Sequence, residues 1–142
     1  MLISTKGRYA LRVMIDLAEH QNGDFIPLRE IVERQGISQK YLEGIMSQLS
    51  RAGFVDGAHG KGGGYRLSAA PDQYRAGDIL RLTEGSIAPV TCLECGARPC
   101  ERADDCRTRP MWTKLDQLIG DFLDSVTIAD LMESSHAEDS IL

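Results

Sequence analysis

Two short helices separated by a very tight turn, followed at once by a glycine-rich hairpin, constrain this 142-residue chain more than any other feature. Pro27 stands where a helix tolerates proline, in its first turn. Leu28, Ile31 and Val32 make the inner face of a short helix that Gly36 ends, as glycine does just past a helix terminus. After only Gly36 and Ile37 comes Ser38, a good N-cap residue. Leu42, Ile45, Met46 and Leu49 then recur at i, i+3, i+4 and i+7, which predicts a further helix ending near Gly53. Phe54-Val55 and Tyr65-Arg66-Leu67 read as paired strands, and the span Gly57 to Gly64 between them holds five glycines together with His59 and Lys61. Helix–turn–helix plus hairpin is a winged-helix arrangement. A nucleotide-binding loop is excluded, because no GK[ST] is present and a strand rather than a helix follows the glycines.

The flanking segments read as helices. Ala10, Val13, Met14, Leu17 and Ala18 place a first helix over roughly 5–21, broken by Asn22-Gly23-Asp24. Pro71-Asp72 punctuates the end of the wing, 76–84 reads as a fourth helix, and 85–109 lacks apolar periodicity. Trp112, Leu115, Ile119, Phe122 and Val126 then recur at spacings of three and four, a narrow seam of the kind that packs helix on helix. Thr127 can cap a last short helix over Ile128–Met132, before a polar tail.

Cys92, Cys95, Cys100 and Cys106 all fall in the aperiodic segment, and the rest of the chain has none. The N-terminus carries polar and basic residues where a signal peptide would be apolar, and no apolar run approaches a membrane span, so a cytoplasmic protein with no membrane partner is expected. There, clustered cysteines favour metal binding or redox chemistry over structural disulfides. The net charge of −5 divides into +2 over residues 1–66 and −7 over 67–142. An approaching phosphate responds to the local sign, so the acidic total does not exclude nucleic acid. No HExxH, GxSxG or nucleophile–base constellation is present, which disfavours an enzyme.

Stepping about 100° per residue around the helix after Ser38 places Lys40, Gly44, Ser47 and Arg51 opposite its apolar face, with Tyr41 and Glu43 beside them. Such a face suits a helix that reads base edges and anchors phosphates, although a plain solvated face has the same composition. His59 and Lys61 sit on a hairpin thin enough to enter a minor groove. His20 and His136 have no partner pattern and read as surface residues.

STKGRYALR at 4–12, ERQGISQKYLE at 33–43, GKGGGYRL at 60–67, the spaced cysteines with RPMWTKL after them, and SVTIADL at 125–131 together resemble the Rrf-two family of bacterial winged-helix transcription regulators. The resemblance covers about 1–133. It implies a mostly α fold: a winged helix–turn–helix with a small β-hairpin wing, plus a long C-terminal dimerisation helix. It also implies a homodimer on pseudo-palindromic promoter DNA. The division that follows is a winged-helix region at 1–75, a connecting helix at 76–84, a cysteine-rich sensor loop at 85–109, the dimerisation and terminal helices at 110–134, and a tail at 135–142. The expected DNA-facing residues are Ser4, Lys6, Arg8, Ser38, Gln39, Lys40, Tyr41, Glu43, Ser47, Arg51, His59 and Lys61. The expected dimer residues are those of the Trp112–Val126 seam.

Members that bind an iron–sulfur cluster carry three cysteines before the long helix, and Cys92, Cys100 and Cys106 match them. Some take a fourth ligand three residues after the last cysteine, where this chain has Arg109. Others take an acidic residue from the partner's first helix, where this chain offers Arg8 and Arg12. Cys95, which the common pattern lacks, can supply the missing thiolate. Zinc held by the same thiolates, a reversible thiol–disulfide sensor, a cysteine-metabolism type of regulator controlled by a partner enzyme that leaves the cysteines idle, incidental cysteines, and a protein-interaction adaptor are the other readings left open.

Overall fold

The computed structural model describes residues 3–94 and 96–133. Cys95, His136 and the tail at 135–142 lie outside the described residues. The chain runs α1 (Thr5–Glu19), α2 (Leu28–Gln35), α3 (Gln39–Arg51), β1 (Val55–Ala58), β2 (Gly64–Leu67), α4 (Ala76–Glu84), α5 (Arg109–Ser125) and α6 (Ile128–Glu133). This is the mostly helical winged fold that the spacing of apolar residues predicts.

Each boundary has a local cause. Ser4 Oγ accepts the Gly7 N–H at 3.1 Å and caps α1. Gly36 ends α2 at φ 64°, a left-handed turn that glycine adopts without steric cost. Ser38 Oγ accepts the Tyr41 N–H and starts α3 after that turn. Ala10, Val13, Met14 and Leu17 of α1, Ile31 of α2, and Leu42, Ile45, Met46 and Leu49 of α3 all bury their side chains in one core.

Asp16 is buried beneath that helix packing and takes two hydrogen bonds from the Arg34 guanidinium, at 2.8 and 3.0 Å, and one from Gln35 Nε2. Three charge-assisted bonds compensate the desolvated carboxylate and fix α1 against α2. His20 remains exposed, as read from the sequence, with Nδ1 2.9 Å from the Asp16 carbonyl oxygen.

The wing is an antiparallel pair with Val55 opposite Leu67 and Ala58 opposite Gly64. The sequence gives no sign of its third element: Ile26 exchanges both backbone hydrogen bonds with Tyr65, at 2.8 and 2.9 Å. Gly64, at φ 150°, is required there, because a Cβ would overlap the Ile26 carbonyl. At the far end, the Tyr74 hydroxyl donates to the Phe54 carbonyl and accepts the Ala69 N–H, both at 2.8 Å. Burial raises the Tyr74 phenol above its ordinary value.

The chain after α5 returns to the winged-helix core. Ala76 donates to the Val126 carbonyl at 2.8 Å, Ile128 donates to the Tyr74 carbonyl at 3.0 Å, and α6 packs on α1 with Ile128 fully buried. Thr127 and Asp130 cap α6 reciprocally, each side chain accepting the other's N–H. Val126, expected on the α5 seam, is therefore a core residue. Its backbone is extended and paired with the 74–76 segment, which carries its side chain inward to 7% exposure. Arg81 of α4 donates to both carboxylate oxygens of Asp124, at 2.7 and 3.1 Å, and ties α5 to the winged-helix unit. No described helix is long and apolar enough to cross a membrane.

Candidate nucleic-acid interface and cysteine loop

The α3 face opposite the core carries exposed Gln39, Lys40, Tyr41, Glu43 and Arg51, with Ser47 half-buried beside them. Gln39 Nε2 donates to Glu43 Oε1 at 3.2 Å, and Arg51 donates to Ser47 Oγ at 3.0 Å, so the polar side chains are ordered along the helix. Tyr41 is held edge-on against Tyr9 of α1, with ring centroids 5.8 Å apart. Arg12 lies over the other ring, 5.1 Å from its centroid, and donates to Gln35. Tyr9 and Arg12 brace this face from α1, and no helical spacing within α3 could have disclosed them.

Lys6 reaches the same surface. An open cleft of about 400 Å³ is lined by Lys6, Ser38, Lys40, Tyr41, Gly44 and Ile45. Gly44 stands in the helix interior, where glycine costs about 1 kcal/mol relative to alanine. Its φ is not positive, and a Cβ built there meets nothing within 4 Å. Neither packing nor backbone torsion accounts for the residue.

Arg8 is exposed and donates to Thr5 Oγ1. Ser4 is committed inward: besides capping α1, its N–H and hydroxyl both donate to Glu84 Oε1, at 2.9 and 2.6 Å. His59 and Lys61 are exposed between the strands of the wing. Arg29 of α2 lines a groove with the wing-tip residues His59, Gly60 and Gly62. Arg29 lies opposite Ile31 on α2, so its outward position is legible from the helix projection.

The cysteine loop connects α4 to α5. Cys92 lies in a single 3-10 turn, Thr91–Leu93, and is exposed, as is Cys100. Cys106 is half-buried just before α5, and all three described thiols are free. Cys106 Sγ is 3.4 Å from Thr108 Oγ1. That hydroxyl, then the backbone amides of Thr108 and Arg109, hold the Cys106 thiol below its ordinary range, and the Arg109 charge adds to this. The thiolate is the form that ligates metals and attacks disulfides. Among the described residues, no three potential metal ligands converge.

Within α5 no residue is buried. Met111, Leu115, Leu118 and Phe122 are 54%, 37%, 55% and 51% exposed and recur at spacings of four, three and four. Leu115 and Phe122 were expected on such a stripe, whereas Trp112 and Ile119 are half-buried and Met111 and Leu118 take their places.

Comparison with known proteins bears directly on this arrangement. Residues 3–134 match the Rrf2 family, described as iron-dependent transcriptional regulators. The HTH-type transcriptional regulator IscR of Aliivibrio salmonicida is 37% identical over 138 residues, which cover 97% of this chain and 81% of that protein. The solved structure of CymR, the global cysteine regulator of B. subtilis, matches with a TM-score of 0.75 at 38% identity, over 94% of this chain and 97% of that one. T. potens IscR matches with a TM-score of 0.75 at 33% identity, over 98% of this chain and 91% of that one. A family match along almost the whole length, on a fold that presents a braced helix and a basic wing on its surface, makes this chain a member of the Rrf2 family of DNA-binding transcriptional regulators.

Proposed function

We propose that the chain binds pseudo-palindromic promoter DNA as a homodimer and that the state of its cysteine loop sets the affinity. The observation that carries this reading is the position of the loop. It joins α4, which packs in the winged-helix core, to α5, whose apolar stripe has nothing covering it among the described residues. In the dimer, Met111, Leu115, Leu118 and Phe122 pack against the same residues of a second copy and leave water. Each α3 then enters a major groove, with Lys40 and Arg51 toward phosphates and Glu43 toward base edges. The wing places Lys61 and His59 at the minor groove.

The donor set suits an iron–sulfur cluster. Cys92, Cys100 and Cys106 are free thiols on one segment, and the Thr108 hydroxyl, with the helix-terminal amides, already favours the Cys106 thiolate. Cys95 is the proposed fourth ligand, since Arg109 carries no usable lone pair. When bound, such a group supplies redox and iron sensing. The protein's part is to bring separated thiols together, which shortens the loop between α4 and α5 and changes how the two α3 helices are spaced. A difference in DNA affinity between the ordered and relaxed loop is what makes this a switch.

The free and accessible state of the three described thiols also favours a second reading, a thiol–disulfide sensor in which two cysteines surrender two protons and two electrons to a disulfide or peroxide oxidant. Anaerobic purification with an absorption spectrum and iron, sulfide, zinc and free-thiol assays separates the two. Iron and sulfide in near-equal amounts, lost in the Cys92→Ala, Cys100→Ala and Cys106→Ala variants, support the cluster. Zinc alone overturns it in favour of a structural clip. Metal-free protein with reversible thiol loss favours the disulfide.

A further inference from the structure

Gly44 is placed where helix propensity opposes it and where neither torsion nor packing asks for it. The space its side chain would fill is open, and Gly44 lines a cleft together with Ser38, Tyr41 and Ile45. Lys6 and Lys40 stand at the rim of that cleft, both cationic and on different helices. An open, largely apolar cleft flanked by two cations fits a small apolar group carried on a polyanion. The apolar group that base pairs display in the major groove is the thymine 5-methyl, flanked by phosphates on its own strand.

We propose that the Gly44 recess receives one thymine 5-methyl group in each half-site, with Lys6 and Lys40 on the adjoining phosphates, and so specifies an A·T pair at that position. This rests on the reading of α3 as the helix that enters the major groove. Tyr41 is the wall of the recess. Its edge-on contact with Tyr9, backed by Arg12, keeps the ring from closing over the gap.

The test uses the full chain and a duplex selected from random sequence for tight binding, with deoxyuridine replacing thymine one position at a time. Deoxyuridine keeps the base pair and removes only the methyl. One thymine in each half-site should lose about four-fold in affinity on replacement, the worth of one buried methyl-sized group. Gly44→Ala puts a methyl of the protein's own in the recess. It should weaken binding to the thymine duplex and bring the thymine-to-deoxyuridine ratio at that position to about one. Its melting temperature should rise, because alanine at an unstrained helical site stabilises. A rise excludes misfolding as the cause of the lost affinity.

Specific binding with every deoxyuridine duplex within two-fold of the parent overturns the recess and leaves the major-groove reading standing. So does a selected half-site with no required thymine, or a Gly44→Ala variant that still discriminates or that melts lower than the parent. A chain that selects no duplex overturns both readings together.

Discussion

Arg34 and Asp16 show what a single buried charge demands. The Asp16 carboxylate is 2% exposed, and Arg34, its main partner, has its guanidinium held above its ordinary value by those hydrogen bonds. Arg34→Ala leaves the carboxylate in the core with only Gln35 donating to it, a loss that costs on the order of 3 kcal/mol. Urea unfolding should show a midpoint lowered by about 1–3 M, that energy divided by a typical m-value, and an unchanged midpoint would mean that water replaces the pair. Arg81 and Asp124 act at a more exposed place and report through pH. Arg81 holds the Asp124 carboxyl below its usual range. The folded chain thus binds that proton less readily than the unfolded chain. The contribution is complete above about pH 4 and is lost as pH falls through the depressed folded value. Wild type should melt above Asp124→Asn near neutrality, and the gap should narrow as the pH falls below about 4. A gap that stays constant over that range would contradict the pairing.

The elements divide into those that the sequence dictates and those that tertiary structure decides. Gly36, Ser38 and the Leu42–Leu49 periodicity carry the helix–turn–helix within one short stretch, and each is a local cause acting on its own neighbourhood. The wing is likewise local. Its pairing with Ile26, however, joins residues 39 positions apart, and no nearby residue encodes it. In α5, the apolar residues Met111, Trp112, Leu115, Leu118, Ile119, Phe122 and Leu123 spread over one broad face of about 140°. A spacing of three and four fits two overlapping stripes there. Only the packing of α4 on one side and the inward turn at Val126 show which stripe is left outside. The outward-facing residues of α3 could be read from helix projection, while Tyr9, Arg12 and the inward role of Ser4 depend on contacts between helices. The α5 stripe makes its own prediction. Leu118→Asp or Phe122→Asp should convert dimers to monomers in sedimentation experiments, with an unchanged helical spectrum, because a charge on a buried stripe must be desolvated. Variants that sediment as wild type would remove α5 from the interface.

At the scale of the whole molecule, one well-packed unit carries on its outside a helix, α5, in which no residue is buried. The winged helix shares its core with α4 and α6, α5 is fastened to α4 through Arg81, and the cysteine loop spans the gap between α4 and α5 with its thiols apart. Drawing those thiols together works against little packed structure, and in the proposed dimer it would change the relative placement of the two DNA-binding surfaces. The account therefore requires a coupling free energy between loop and DNA, and for a functional switch such couplings correspond to about five-fold or more in affinity. The direct measurement is operator affinity by fluorescence anisotropy, under anaerobic conditions, for the iron-loaded protein and for the same preparation stripped with a chelator. The account predicts a difference of about five-fold or more in wild type, and none in Cys106→Ala. Equal affinities for the loaded and stripped wild type would contradict it.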